Sequence, residues 1–449
     1  MRWILVATIL GSSIVFIDQT VVNVALPPIQ HDLGGGLAAQ QWVVDAYLLT
    51  LGSLILVGGS LGDIFGEVRL FTIGVVAFGL ASVLCAVAPD ITTLIVFRGI
   101  QGIAGALLTP ASLALITSNF EGAERGAAIG TWAAWSGIST VVGPLLGGWL
   151  IGISSWRVIF FLNVPIAIVT LAITLAFIPR AGQLASRARV DYLGGVLCAL
   201  GLGGVVYGLI EQPRLGWTHW SVAGALVVGA LCLVAFVAWE ARARAPMLPL
   251  RLFRSRNFSA TNVETLAVYG GLSAWAFFLV LFLQQLSGYS PFRSGLATLP
   301  VTVVLFALSR YTGRLSARYG PRLFMAAGPL IAGLSLFPLA RLPVHPSYWV
   351  DLLPPLLGFS FGLALTVAPL TTTVLSEAGP GDAGIASGVN NAVARVAGLV
   401  AIAAVGLAAA SGGAHKLTPH GFHVAMLIVG ALICAGGAIG AVGIRNPAR

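Results

Sequence analysis

A chain of 449 residues that is 57% hydrophobic and only 9% charged cannot surround an apolar core with a water-facing surface, which excludes a soluble globular protein. The net charge of +9 does not describe a nucleic-acid-binding face, because the arginines fall in short loops between apolar runs. Composition defines an integral membrane protein, and the length of its apolar runs is what makes an all-α, polytopic fold the expectation.

A bilayer crossing needs about 20 apolar residues. Such runs occur fourteen times, at roughly 3–26, 41–62, 70–88, 91–117, 127–151, 157–178, 192–210, 220–239, 258–284, 294–315, 322–341, 348–376, 383–409 and 421–444. The first follows Met1 and Arg2 with no small-residue cleavage site, so it is expected to be a retained span and not a signal peptide. An even count puts both termini on one side. Seventeen of the 24 Lys and Arg residues fall on that side, five fall opposite (Arg157, Arg214, Arg293, Arg341, Lys416), and Arg98 and Arg395 lie within spans. The positive-inside rule then places both termini in the cytoplasm; the expected location is the plasma membrane, as a multi-pass protein. All six histidines fall on the outer side. His415, His420 and His423 read as a solvated loop in preference to a metal site, and no metal is expected. Cys85, Cys198, Cys232 and Cys434 sit inside apolar runs without ligand spacing and read as small core residues.

The chain repeats itself. Gly59 to Gly66 (GSLGDIFG) returns as Gly313 to Gly320 (GRLSARYG), Gly105 to Thr109 (GALLT) as Gly362 to Thr366 (GLALT), and Gly126 to Gly130 (GAAIG) as Gly384 to Gly388 (GIASG), at offsets of 254, 257 and 258. Three echoes in one order and one orientation argue for two parallel six-helix halves with two further spans between them. The expected division is 1–180 for the first half, 181–255 for two linker helices flanked by the basic segments Arg180 to Arg189 and Arg242 to Arg256, and 256–449 for the second half.

Several stretches along this plan resemble motifs of the major facilitator superfamily, and of its fourteen-helix drug:proton antiporter branch in particular. They are FIDQTVVNVALP (Phe16 to Pro27), with Asp18 and Asn23, and QWVVDAYLLT (Gln41 to Thr50), with Asp45. Further along come FRGIQGIAGA, with Arg98, Gln101 and Gly102, then WRVIFFLNVP (Trp156 to Pro165), and SGVNNAVARVAG, with Asn390, Asn391 and Arg395. GPLLGG (Gly143, Pro144, Gly147, Gly148), on the fifth helix, resembles the branch's antiporter signature. Small residues four apart let helices approach closely, and Pro144 frees a carbonyl about one turn earlier. Close packing of Gly143 and Pro144 across the two halves would then gate the outer side. The loop motif thought to latch the halves on the inner side keeps Gly59, Asp63 and Gly66, with Gly313, Arg318 and Gly320 in its repeat. It has Ile64 and Glu67 where basic residues are usual, leaving Arg69 nearby.

A charge at the centre of a membrane helix costs about 2.5 to 3.5 kcal/mol on insertion scales, so each needs a partner or a task. At about 1.5 Å per residue, Asp18, Asp45 and Arg98 lie within about 8 to 13 Å of the outer boundary and are expected to share one cluster. Asp18 is the expected proton carrier, with Arg98 modulating it and Asp45 sharing the proton or meeting a cationic substrate. The alternatives are a permanent Asp18–Arg98 salt bridge and an Asp45 that reaches water. Glu264 divides evenly between snorkelling to the inner boundary and lining a substrate cavity. Arg395 is expected to face the cavity or to pair with Asn390. Asn23, Gln101, Trp132, Trp135, Asn390 and Asn391 are further cavity candidates; Tyr47, Tyr269, Trp275 and Phe278 are aromatic candidates that read as packing unless they face the central axis.

The resemblance implies a proton-coupled exporter of lipophilic compounds, cationic or not, working by alternating access, with no cofactor beyond the coupling proton. The expected partners are a small lipophilic substrate and membrane lipids, with no nucleic acid and a monomeric state. Fold alone leaves open a dedicated exporter or importer of one metabolite. A membrane-embedded enzyme would need a reactive cluster in an inner loop, a sensor would need a soluble signalling domain, and ATP-driven transport a Gly-x-x-x-x-Gly-Lys loop; none is found in the sequence.

Overall fold

The computed structural model describes residues 2–178, 190–377, 383–410 and 417–446. Within a hydrocarbon slab every backbone N–H and C=O must be satisfied inside its own segment, so apolar runs of this length fold as helices. In chain order they are α1 (Arg2–Leu33), α2 (Leu37–Phe65), α3 (Glu67–Ala86), α4 (Ile91–Asn119), α5 (Gly122–Ile153), α6 (Val158–Phe161), α7 (Asn163–Phe177), α8 (Tyr192–Leu215), α9 (Trp220–Glu240), α10 (Arg256–Leu281), α11 (Pro291–Tyr319), α12 (Pro321–Leu336), α13 (Leu353–Ser376), α14 (Ala383–Ala409) and α15 (Pro419–Gly443). With α6 and α7 forming one crossing, the described residues contain 14 spans. The all-α, fourteen-span architecture expected from the sequence is therefore the architecture observed.

Two details differ from the expectation. The first helix runs on from residue 26 to Leu33 through Pro27 and Pro28, because each proline removes only its own N–H bond while its fixed φ suits a helix. The sixth span is broken at Leu162, where Pro165 has no N–H to return to the Phe161 carbonyl.

The repeat is visible in the backbone. Gly66 joins α2 to α3 with φ 90° and ψ 135°, and Gly320 joins α11 to α12 with φ 89° and ψ 151°, a conformation that favours glycine. The pairing scheme repeats as well: α1 packs on α5 and α7 as α10 packs on α14 and α15, and α3 packs on α4 and α7 as α12 packs on α13 and α15.

By packing, the chain forms two compact units. One comprises Met1–Gly203, Val228–Met247 and Ser290–Phe292; the other comprises Gly204–Val227, Leu248–Tyr289 and Arg293–Arg449. In the first unit, α8 brings Gly195 and Gly203 against Val57 and Leu49 of α2, while α9 turns Leu231 and Val234 outward. The start of α8 is fixed by Asp191, whose Oδ1 accepts from the Gly194 N–H and from Trp239 Nε1, both at 2.8 Å. The basic segment between α7 and α8 and His415 lie outside the described residues.

Candidate functional site: a buried ion pair and two unpartnered acids

Asp18 stands midway along α1 and Arg98 in the second turn of α4, which pack against each other in the first unit. Asp18 is 0% exposed and Arg98 1%. Arg98 Nη1 lies 2.6 Å from Asp18 Oδ2 and 2.6 Å from Gln101 Oε1, and its Nε donates to the Val43 carbonyl at 3.1 Å. The other carboxylate oxygen, Asp18 Oδ1, accepts from Gln101 Nε2 at 2.9 Å and from Asn163 Nδ2 at 3.0 Å. Ser82 Oγ accepts from Gln101 at 2.9 Å and from Asn163 at 3.2 Å, which fixes both amides from α3. Above the guanidinium lie the rings of Tyr47 at 4.4 Å and Phe160 at 5.8 Å, a cation–π arrangement that replaces part of the lost hydration. The result is an ion pair enclosed by donors and aromatic faces from five elements. Protonating Asp18 would remove the charge that faces Arg98 and release one of its bonds.

Of the three residues expected in one cluster, the structure joins Asp18 and Arg98 and leaves Asp45 outside their hydrogen-bond network, while Gln101, expected in the cavity, bonds to the pair. Asp45 is 0% exposed, and neither of its carboxylate oxygens has a hydrogen-bond partner among the described residues. It does not reach water in this conformation. Asn23 is half-buried on α1, and its Oδ1 is likewise without a partner. Asn163 and Ser82 had not been singled out. Asn163 sits in the WRVIFFLNVP stretch, and an amide inside an apolar run was a legible signal. Ser82 gave none, since a lone serine can satisfy itself on a carbonyl of its own helix.

Gly143, expected to pack across the two halves, has its nearest neighbours on α1. A Cβ at Gly143 would meet Thr20 Oγ1 and stand 3.1 Å from the Ile17 carbonyl, and one at Gly147 would meet Val21, so both glycines close on α1 in their own unit. Their packing tightens the helix that carries Asp18. Gly148 lies against Pro291 and Phe292 at the start of α11, within the second sequence half, and Pro144 is half-buried. On this helix Trp132 donates to Ser12 Oγ at 2.8 Å, whereas Trp135 is 50% exposed.

In the second unit Glu264 of α10 is 0% exposed, which rules out snorkelling in this conformation. Asn390 of α14 gives its amide to Thr265 Oγ1 at 2.8 Å and Asn262 Oδ1 at 3.2 Å, while Asn391 is exposed and Arg395 half-buried. Trp275 and Phe278 are core residues, Trp275 packing 4.6 Å from the Phe359 ring. Tyr269 is half-buried. In the loop motif Asp63 and Arg69 are exposed, and Glu67 accepts from Ser118 Oγ at 2.5 Å, so the acid at the usual basic position is held within the first unit. Gly59 and Gly313 make only ordinary contacts, and Arg318 is exposed beside Tyr319. His423 bonds the Leu342 carbonyl at 2.9 Å.

Fourteen spans in a repeated six-helix scheme, with a charged cluster sealed inside one unit, define a multi-pass membrane transporter. Over residues 8–402 the chain matches the model of the Major Facilitator Superfamily, and it belongs to that family. It is 35% identical to the puromycin resistance protein of Streptomyces alboniger over 436 residues, covering 95% of this chain and 86% of that one. It is 34% identical to the multidrug resistance protein Stp of Mycobacterium tuberculosis over 420 residues, covering 93% and 77% respectively. The tetracenomycin C resistance and export protein of Streptomyces glaucescens is 32% identical over 412 residues, covering 91% and 76%. Among solved structures the fold matches a D-xylose–proton symporter with a TM-score of 0.70 at 14% identity, covering 99% of this chain and 98% of that one.

Proposed function

We propose that this transporter exports lipophilic compounds, cations among them, by alternating access in exchange for protons moving inward. The observation that carries this reading is the Asp18–Arg98 pair, a titratable carboxyl held against a fixed cation at the core of a membrane-spanning unit. The names of the relatives, which speak of puromycin, several drugs and tetracenomycin C, support efflux of bulky organic molecules. Asp18 takes the proton, Arg98 sets how readily it does so, and Asp45 receives either a second proton or the positive charge of a substrate. Each proton entering gains about 2.3 kcal/mol per 100 mV of membrane potential, enough to sustain a useful substrate gradient.

Within this reading residues 1–180 and 256–449 are the two moving halves, 181–255 is a lipid-contacting linker, both termini are cytoplasmic, and the monomer is the working unit. The test is proton movement in proteoliposomes on addition of ethidium, tetraphenylphosphonium or puromycin, comparing the intact protein with Asp18→Asn. Substrate-triggered proton flux that disappears in the variant is the expected result. Near-normal coupling in Asp18→Asn would make the ion pair a purely structural clamp, and silence of the intact protein across the probes would point to a dedicated metabolite exporter.

A further inference from the structure

The second unit holds a carboxyl that the coupling scheme above does not use. Glu264, in the third turn of α10, is 0% exposed, and both its oxygens lack a hydrogen-bond partner among the described residues. It lies over Gly436 and Gly440, four residues apart on α15. A Cβ at Gly436 would stand 3.8 Å from Glu264 Cγ, and one at Gly440 would stand 2.9 Å from Glu264 Oε2. Any larger residue at 440 would fill the carboxyl's slot. The same Cβ position is bordered by the Met325 carbonyl of α12. That carbonyl is the one whose helical partner would be residue 329, and residue 329 is a proline, which has no N–H to give. A carboxyl without a donor among the described residues and a carbonyl without its helical donor thus border the same Cβ position in the interior of the second unit.

An ionised carboxylate there would face the negative end of a carbonyl dipole with no cation to compensate, whereas a carboxylic acid would supply the missing donor. The charged or titratable groups on its own helix are Arg256, bonded to the Val442 and Gly443 carbonyls at 2.6 and 3.0 Å, and the half-buried Tyr269. On α12 there is Arg322, bonded to the Ala441 carbonyl at 2.8 Å. α14 carries Arg395, α15 carries Cys434 with His420 and His423, and the short turn before α10 carries Arg251 and Arg254. Glu377, just beyond α13, takes Ser255 and Asn257. None of these forms an ion pair with Glu264.

We propose that Glu264 is a further proton-binding site of the transport cycle, in the second unit, loaded in this conformation and directing its acidic hydrogen to the Met325 carbonyl freed by Pro329. The proton comes from and returns to water when the helices around the slot part. This rests on the proton-coupled efflux reading for its place in the cycle, but not for the protonation itself.

The first test is the infrared spectrum of the full-length protein in lipid. A carboxylic-acid carbonyl band that titrates with pH, disappears in Glu264→Gln and persists, shifted, in Glu264→Asp is the expected result. In Pro329→Ala, where Met325 regains an N–H partner, the band should move towards that of a weakly hydrogen-bonded acid. No band attributable to Glu264 at any pH would overturn the proposal, whatever the protein transports. The second test clamps the membrane potential at zero and imposes one pH unit across proteoliposomes, then reads the ethidium gradient at which net flux stops. Losing one coupled proton lowers that limiting gradient about tenfold in Glu264→Gln, and Glu264→Asp should restore it. An unchanged limiting gradient removes Glu264 from the cycle; failure of the intact protein to move any probe sinks the efflux reading instead and leaves the spectrum to decide whether Glu264 holds a proton.

Discussion

Asp18 and Glu264 are equally hidden, each 0% exposed in the interior of its own unit, yet their surroundings are opposite. Asp18 receives three donors, one of them a guanidinium, while Glu264 receives none and faces a carbonyl freed by a proline. Depth therefore does not decide what a buried acid can do; the hydrogen-bonding capacity of its neighbours does. The first is a group whose removal or stranding should be felt throughout the bundle, and the second is one that an uncharged side chain of similar volume should replace with little structural effect.

The largest expected effect breaks the first of these environments. Arg98→Ala strands the Asp18 carboxylate and also removes the cation that Tyr47 and Phe160 cover, so stability should fall by about 3 to 5 kcal/mol. Thermal unfolding of the purified protein would read this, and Asp18→Asn made together with Arg98→Ala should recover part of the loss because no charge is then left unpaired. The matching substitution in the second unit, Glu264→Leu, should change stability by less than about 1.5 kcal/mol, since it exchanges one uncharged group of similar size for another. Equal damage from both would erase the contrast.

Next come the glycines that press α5 onto the helix bearing Asp18. Gly147→Ala drives a methyl into Val21 and should destabilise by about 1 to 3 kcal/mol. Gly130→Ala on the same helix meets nothing within 4 Å and should change stability by no more than about 0.5 kcal/mol in the unfavourable direction, with efflux intact. Asn163→Ala should be intermediate, about 0.5 to 1.5 kcal/mol, because it removes one of three donors to Asp18.

The fold was largely legible in the sequence because a bilayer enforces helices of known length, and the repeat was legible because Gly66 and Gly320 must both accept a positive φ that favours glycine. The Asp18–Arg98 association was legible for a similar reason: two charges at equal depth have few other ways to be satisfied. What could not be read was direction around a helix. Asp45 shares that depth but lies outside the hydrogen-bond network, and Gly143 faces α1 because Thr20 and Ile17 happen to occupy the adjoining turn. Nor does a sequence show that Pro329 frees a carbonyl beside Glu264, since residues 264, 325 and 440 meet only after three helices have packed.

The smallest structural effect belongs to Asp45→Asn, and for that reason it is the sharpest probe. Asp45 makes no hydrogen bond and no ion pair among the described residues, so the amide, nearly identical in shape, removes nothing that the fold uses. Unfolding should shift by no more than about 0.5 kcal/mol. Transport should respond strongly if Asp45 handles charge: a proton role predicts loss of coupling for neutral and cationic probes alike, whereas a substrate role predicts loss for ethidium and tetraphenylphosphonium with puromycin least affected. The same variant thus separates the two tasks without disturbing the ion pair, because Arg98 keeps Asp18, Gln101 and the Val43 carbonyl whichever of them Asp45 performs.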